Sequence, residues 1–143
     1  MTVMSIMAAK GGSIVTIEPT ATLNAAAGVL AARRIGAVLV LGAGDRLIGI
    51  LSERDIVRVV AERGATALDD TVGQVMTRNV ATCTKDEAID SIMERMTTGK
   101  FRHMPVVEND RVTGIVSIGD VVKRRLETME QETEAMRDYI RSA

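Results

Sequence analysis

Cysteine, proline and aromatic residues are nearly absent from this chain, and each shortage rules something out. Cys83 is the one cysteine, so no disulfide can form within the chain and no metal site can rest on paired cysteines. A reducing cytoplasm is the expected compartment. Phe101 and Tyr139 are the only aromatics, and tryptophan is missing altogether. The core must therefore be built from Val, Ile, Leu, Ala and Met, and no aromatic platform exists on which single-stranded bases could stack. Charge of either sign is not in excess, since 18 Lys and Arg face 19 Asp and Glu for a net charge of −1. With no general attraction for a polyanion, nucleic acid is not expected as a partner.

Long apolar runs are missing too. None approaches the roughly 18 residues that a bilayer span requires, so no membrane partner is expected. The opening Met1-Thr-Val-Met-Ser-Ile-Met-Ala-Ala9 is apolar, but it has no basic leader and runs into Lys10-Gly11-Gly12. It reads as structure rather than as a secretory signal.

What the chain does contain is a repeat. Gly49-Ile-Leu-Ser-Glu-Arg-Asp-Ile-Val57 returns 65 residues later as Gly114-Ile-Val-Ser-Ile-Gly-Asp-Val-Val122, with Gly, Ser and Asp in register. In 143 residues this makes two small units, expected at 1–64 and 65–143. A unit of that size buries a thin core alone, so the two should pack together.

Each copy reads in the same order. Val3, Ile6 and Met7 give one helical turn ended by Gly11-Gly12, echoed by Thr71-Val-Gly-Gln-Val-Met76, with a small insertion over Ala8 to Gly12 in the first copy. Short strands are expected at Ile14 to Ile17 and Val80 to Cys83, broken by Pro19 and by Lys85-Asp86. Two amphipathic helices follow, carrying Leu23, Ala26, Ala27, Leu30 and Ala31 in one and Ile89, Ile92, Met93 and Met96 in the other. Thr84 and Glu87 have the form of a capping box, and Gly36 and Gly99 mark the helix ends. Then come paired strands, Ala37 to Leu41 with Leu47 to Ser52 and Met104 to Val107 with Val112 to Ser117, joined by Gly, Asn and Asp turns. Helices from Glu53 to about Arg63 and from Gly119 onward complete the copies, with Ala65 to Asp70 as the link. Strand, helix, strand, strand, helix, given twice, is an α+β plan. The last helix carries Val122, Leu126, Met129, Thr133, Met136 and Ile140 in steps of four and three, a seam suited to another helix, such as that of a second subunit.

The doubled Gly-Ile-hydrophobic-Ser-x-x-Asp, the strand Arg102-His-Met-Pro-Val-Val107 and the start Thr71-Val-x-x-hydrophobic-Met make the chain resemble a tandem pair of CBS domains, named after cystathionine β-synthase. The likeness covers nearly the whole length. It implies a disc of two repeats packed with pseudo-two-fold symmetry, often paired again as a homodimer. It also implies clefts between repeats for adenosine compounds such as AMP, ADP, ATP, NAD or S-adenosylmethionine, sensed rather than transformed, and an effector protein that reads the outcome.

Candidate residues follow from ligand chemistry. A carboxylate can accept from both hydroxyls of a ribose, and Asp55 and Asp120 each open a helix whose free N–H groups favour phosphate, with Ser52 and Ser117 adding a hydroxyl. The same Ser-x-x-Asp is also a plain helix cap. Val80, Thr82, Met104 and Pro105 could line an aliphatic slot for adenine, or be core. Arg102, His103 and Arg54 are the choices for phosphate, although His103 also reads as a structural histidine and Arg102 as a solvated charge. The first copy has Ala37-Val-Leu-Val40 in place of Arg102-His-Met-Pro105, so the site on Asp120 is expected to be the better one, with Arg54 reaching it. Catalysis is not expected, because Cys83 and His103 sit in separate strands without an acid, and Gly42-Ala-Gly44 is too short for a phosphate-binding P-loop. No metal or catalytic cofactor is implied. A structural interaction module with empty clefts is the competing reading.

Overall fold

The structure is a computed structural model and describes residues 1–11 and 14–142. The first repeat runs α1 (Val3–Lys10), β1 (Thr16–Ile17), α2 (Leu23–Arg33), β2 (Ala37–Leu41), β3 (Leu47–Ser52) and α3 (Glu53–Arg63). The second runs α4 (Val72–Val75), α5 (Ile89–Gly99), β4 (His103–Glu108), β5 (Arg111–Ser117) and α6 (Ile118–Ser142). One sheet has the order β1-β2-β3 and the other consists of β4 and β5. Gly12, part of the expected insertion and helix stop, lies outside the described residues. Ala8 to Lys10 extend α1, and Gly11 caps it at φ 84°.

The second sheet lacks the strand expected over Val80 to Cys83, where only Cys83 bridges to Val106. Pro105 is the reason. In the first repeat Leu39 donates its N–H to Val15 O at 3.3 Å. Pro105 fills the matching place in the second and has no N–H to give, so the ladder stops after one rung.

Local chemistry shifts other boundaries. Thr84 N–H does bond Glu87 Oε2 at 2.7 Å, but this closes a turn, and α5 begins later behind Ala88. Helix α5 ends on Gly99 as expected and α2 at Arg33, three residues before Gly36, but the left-handed cap that follows each is not a glycine: it is Lys100 at φ 56° and Arg34 at φ 53°. The link after α3 coils into a 3₁₀ turn over Ala65–Asp69 that buries Ala67. The β4–β5 turn is two residues, Asn109 and Asp110, with φ 51° and 63°, the left-handed pair a tight hairpin demands.

Two aliphatic cores form, and each borrows a helix from the other repeat. Val3 and Ile6 of α1 pack with Cys83, Ile92, Met96, Met104 and Val116, while Val72 and Val75 of α4 pack with Leu23, Val38, Val40 and Leu51. Burying a side chain of this kind is worth about 1.5–3 kcal/mol, so neither core is complete without the exchange. Paired contacts fix it: Val3 N–H to Glu87 O at 3.0 Å, and Val72 N–H to Ala21 O at 2.8 Å. The exchange also accounts for the repeated glycines. A Cβ on Gly49 would lie 2.5 Å from Met76 Sδ and 3.0 Å from Thr77 O, and one on Gly114 would overlap the thioether of Met7. Gly49 and Gly114 are where each borrowed helix lays its methionine against the hairpin.

Candidate functional site

The exchange brings the start of the second repeat alongside the end of β3, where Ile50 and Thr77 trade both backbone hydrogen bonds at 2.9 and 3.0 Å. Between them and the head of β4 opens a crevice of about 500 Å³. Of the residues chosen from sequence it gathers Ser52, Arg54, Asp55, Val80, Arg102 and His103. Thr82, Met104, Pro105, Ser117 and Asp120 are not among its lining residues.

The expectation gave the better site to Asp120, with Arg54 reaching it. The carboxylate facing the large crevice is Asp55, and Arg54 beside it lines the same space rather than reaching Asp120. Asp120 lies in a second crevice of about 240 Å³, already engaged by Lys10 Nζ at 2.8 Å. Burial alone would raise the Asp120 carboxyl, but hydrogen bonds from Lys10 and Ser117 outweigh it and hold the group below the usual carboxylate range.

Both Ser-x-x-Asp motifs are helix caps, and at Asp55 the cap and the crevice coincide. Ser52 donates N–H and Oγ–H to Asp55 Oδ2 at 2.9 and 3.0 Å, and Asp55 N–H returns a bond to Ser52 Oγ. Asp55 Oδ1 receives Arg58 Nη1 at 3.2 Å. Ser117 and Asp120 repeat the reciprocal pair at 2.9 and 3.2 Å.

Backbone bonds also set which residue matches which across the repeats. Glu53 N–H bonds Gly36 O, and Ile118 N–H bonds Arg102 O, so Gly36 answers Arg102. The counterpart of Arg102-His-Met-Pro105 is therefore Gly36-Ala-Val-Leu39, one residue earlier than the alignment on Ala37. The loop between the paired strands is one residue shorter in the second copy, which the fixed shift of 65 could not register. The contrast stands: the first copy has neither the cation nor the proline.

Sequence reasoning missed Arg58, Asn79, Ala81, Lys100 and Phe101, all of which line the crevice. Phe101 overturns the expectation of a purely aliphatic slot. Its ring lies over Gly99, where a side chain would collide with it. As one of two aromatics in the chain, it was the available signal. Ala81 matters because of Pro105: its carbonyl answers that of Val15, which Leu39 satisfies in the first repeat, and Pro105 offers it no N–H. Met104 is fully buried in the second core, and Arg95 holds Thr82 O at 2.9 Å.

The electrostatics favour an anion. Arg54, Arg58, Lys100 and Arg102 face the crevice against Glu53 and Asp55. His103 sits against Gly36, where a Cβ would come within 3.1 Å of the ring. Burial is the main cause that lowers its pKa, and Lys10 and Arg102 add to this against Glu53 and Asp120. Its ring is thus neutral at pH 7 and can accept as well as donate. Cys83 is buried, and desolvation, its largest cause, pushes its thiol up to about 12, which leaves it a packing group rather than a nucleophile. Among the described residues no cluster of three His, Cys, Asp or Glu could hold a metal ion, and no helix is long and apolar enough to cross a membrane.

Known proteins share this fold. A CBS-domain-containing protein from Agrobacterium tumefaciens superposes with a TM-score of 0.85 at 47% identity, covering 87% of this chain and 92% of its own. The CBS domain pair of protein MJ0100, solved in complex with 5-methylthioadenosine and S-adenosyl-L-methionine, gives 0.80 at 26% identity over 90% of this chain and 98% of that one. The mitochondrial CBS domain-containing protein CBSX3 of Arabidopsis thaliana is 30% identical over 147 residues, which is 97% of this chain and 71% of that protein. The chain spans 22% of the length of longer CBS-domain proteins of the same plant. A model of the CBS domain matches residues 3–62 and again 72–127. With both repeats matched across most of its length, the chain belongs to the CBS-domain family, as a tandem pair.

Proposed function

We propose that this chain is a regulatory module that binds a phosphorylated adenine nucleotide in the crevice on Asp55 and reports it to a partner protein. The observation that carries this reading is the meeting, in one crevice, of a ribose-type carboxylate from the first repeat with Arg102 and His103 from the second. Asp55 keeps Oδ2 in the helix cap with Ser52 and offers Oδ1 to the ribose hydroxyls in exchange for Arg58, whose guanidinium is half exposed and free to turn to the phosphates. The carbonyl of Ala81, without a donor from Pro105, accepts the adenine amino group, and Phe101, Val80 and Ile50 supply apolar faces. The cations take the phosphates.

The same charge distinguishes ligands. MJ0100 was solved with S-adenosyl-L-methionine and 5-methylthioadenosine, one cationic at sulfur and one uncharged there. A lining with four cations against two carboxylates favours AMP, ADP, ATP or NAD instead. Lys10 fills the ligand's place beside Asp120, so one nucleotide is bound per chain. The hydroxyl nearest a carboxylate, Ser52 on Asp55, is tied into the reciprocal helix cap, which suits a module that senses its ligand rather than turning it over. A reducing cytoplasm suits its single buried thiol.

Calorimetry on Asp55→Asn and Asp120→Asn tests the assignment, because asparagine keeps the helix cap while removing the charge. Wild type should bind ATP or AMP with one site per chain. Asp55→Asn should weaken it at least about tenfold, or about 1.4 kcal/mol, and Asp120→Asn less than about twofold. Equal losses in the two variants, or tighter binding of S-adenosylmethionine than of any phosphorylated nucleotide, would overturn the reading.

A further inference from the structure

Nine large apolar side chains stay exposed among the described residues, and six of them lie on α6: Val122, Leu126, Met129, Met136, Tyr139 and Ile140. The helix starts on the body, with Val121 buried and Arg124, Arg125 and Thr128 partly covered, and then leaves it. Every residue from Met129 to Ser142 is exposed. An isolated helix of that length is marginal in water, so the extension needs a partner to be stable. At 3.6 residues per turn, the stripe of Val122, Leu126, Met129, Thr133, Met136 and Ile140 lies about a third of a turn from the body-facing side. A second helix can therefore lie against it without displacing the core.

We propose that α6 pairs with α6 of a second copy of this chain, as a parallel two-stranded coil. The charges beside the stripe choose the occupant and its direction. In the heptad frame Leu126, Thr133 and Ile140 take the a positions, and Val122, Met129 and Met136 the d positions. Arg125 and Glu132 then occupy g, with Glu130 and Arg137 at e. In a parallel pair in register, each g side chain faces the following e of the other helix. Arg125 meets Glu130 of the second copy and Glu132 meets Arg137 of the second copy, so every such pair is of opposite sign. An antiparallel pair with the same apolar overlap sets Lys123 against Arg137 and Glu130 against its own counterpart, which is repulsive. β-branched Thr133 and Ile140 at a suit two strands. Arg125 also lies 3.7 Å from Asp90 of its own chain, so the outer pair, Glu132 with Arg137, is the one to probe.

Sedimentation velocity on the full chain over a concentration series tests this, with far-UV circular dichroism to confirm folding. Wild type should dimerise reversibly, and Met129→Asp with Met136→Asp should leave monomer. Glu132→Arg and Arg137→Glu, made singly, should each weaken the dimer at least tenfold, and the two together should restore it to within about threefold. A wild type that stays monomeric, a dimer that survives the two aspartates, or a double charge swap that fails to restore pairing would each overturn the proposal.

Discussion

Lys10 Nζ lies 2.8 Å from Asp120 Oδ2 and 3.0 Å from Ile115 O, so a cation from the exchanged helix α1 closes the crevice of the second repeat's own acid. At the matching place in the first repeat, Ile50 O takes the backbone N–H of Thr77, and Asp55, buried at the edge of the larger crevice, is met instead by Arg58 of its own helix at 3.2 Å. Two motifs alike in sequence thus differ in where their cation comes from, the exchanged helix at Asp120 and the acid's own helix at Asp55.

Removing Lys10 should show in the titration of Asp120. Burial raises that carboxyl, and Lys10 is the largest of the causes that lower it, so Lys10→Met should move its pKa upward, readable from its carboxyl carbon by NMR. A group held below its unfolded value stabilises the fold above the usual carboxylate range and loses that contribution as pH falls through its folded value. Lys10→Met should therefore cost less than about 1 kcal/mol at neutral pH, with the difference from wild type disappearing in acid. A cost that persists unchanged at low pH would place the role of Lys10 elsewhere.

His103 should couple nucleotide binding to pH. Its ring is kept neutral, first by burial and then by Lys10 and Arg102, against the opposite pull of Glu53 and Asp120. In the free protein this contribution to stability is present above the ordinary imidazole range and lost as pH falls below it. A bound phosphate reverses the balance by favouring the imidazolium. ATP affinity should rise as pH drops from 8 to 6, by at most about tenfold per unit, and His103→Asn should flatten the profile. An identical slope in the variant would remove His103 from the site.

The two hairpin glycines should differ in cost. A Cβ on Gly49 meets both Met76 and the backbone oxygen of Thr77, whereas one on Gly114 meets only the movable end of Met7. Overpacking that side chains cannot relieve costs about 1–3 kcal/mol, so thermal melts should place Gly49→Ala clearly below Gly114→Ala. The reverse order would mean that α1, not α4, is the more tightly held of the exchanged helices.

Much of the architecture was legible in the residues. The doubled Gly-Ile-x-Ser-x-x-Asp marked two units, and the short apolar runs of β2 and β3, bounded by Gly and Asp, and the apolar stripe of α3 placed those elements to the residue, because such signals need no distant partner. The Asn109-Asp110 turn was equally local. Pro105 was visible too, and with it the missing ladder donor, but not that this one donor would cost the second sheet the strand expected over Val80 to Cys83.

The sequence by itself determined the two-fold α+β plan, the aliphatic core, the pair of Ser-x-x-Asp caps and the apolar stripe of α6, since each depends on neighbours a few positions away. Only the tertiary structure decided that α1 and α4 change places, that Asp55 rather than Asp120 faces the larger crevice, and that Lys100 and Phe101 join it. Those outcomes turn on which repeat lends which helix, a matter of contacts such as Lys10 with Asp120, 110 positions apart, that no local pattern records.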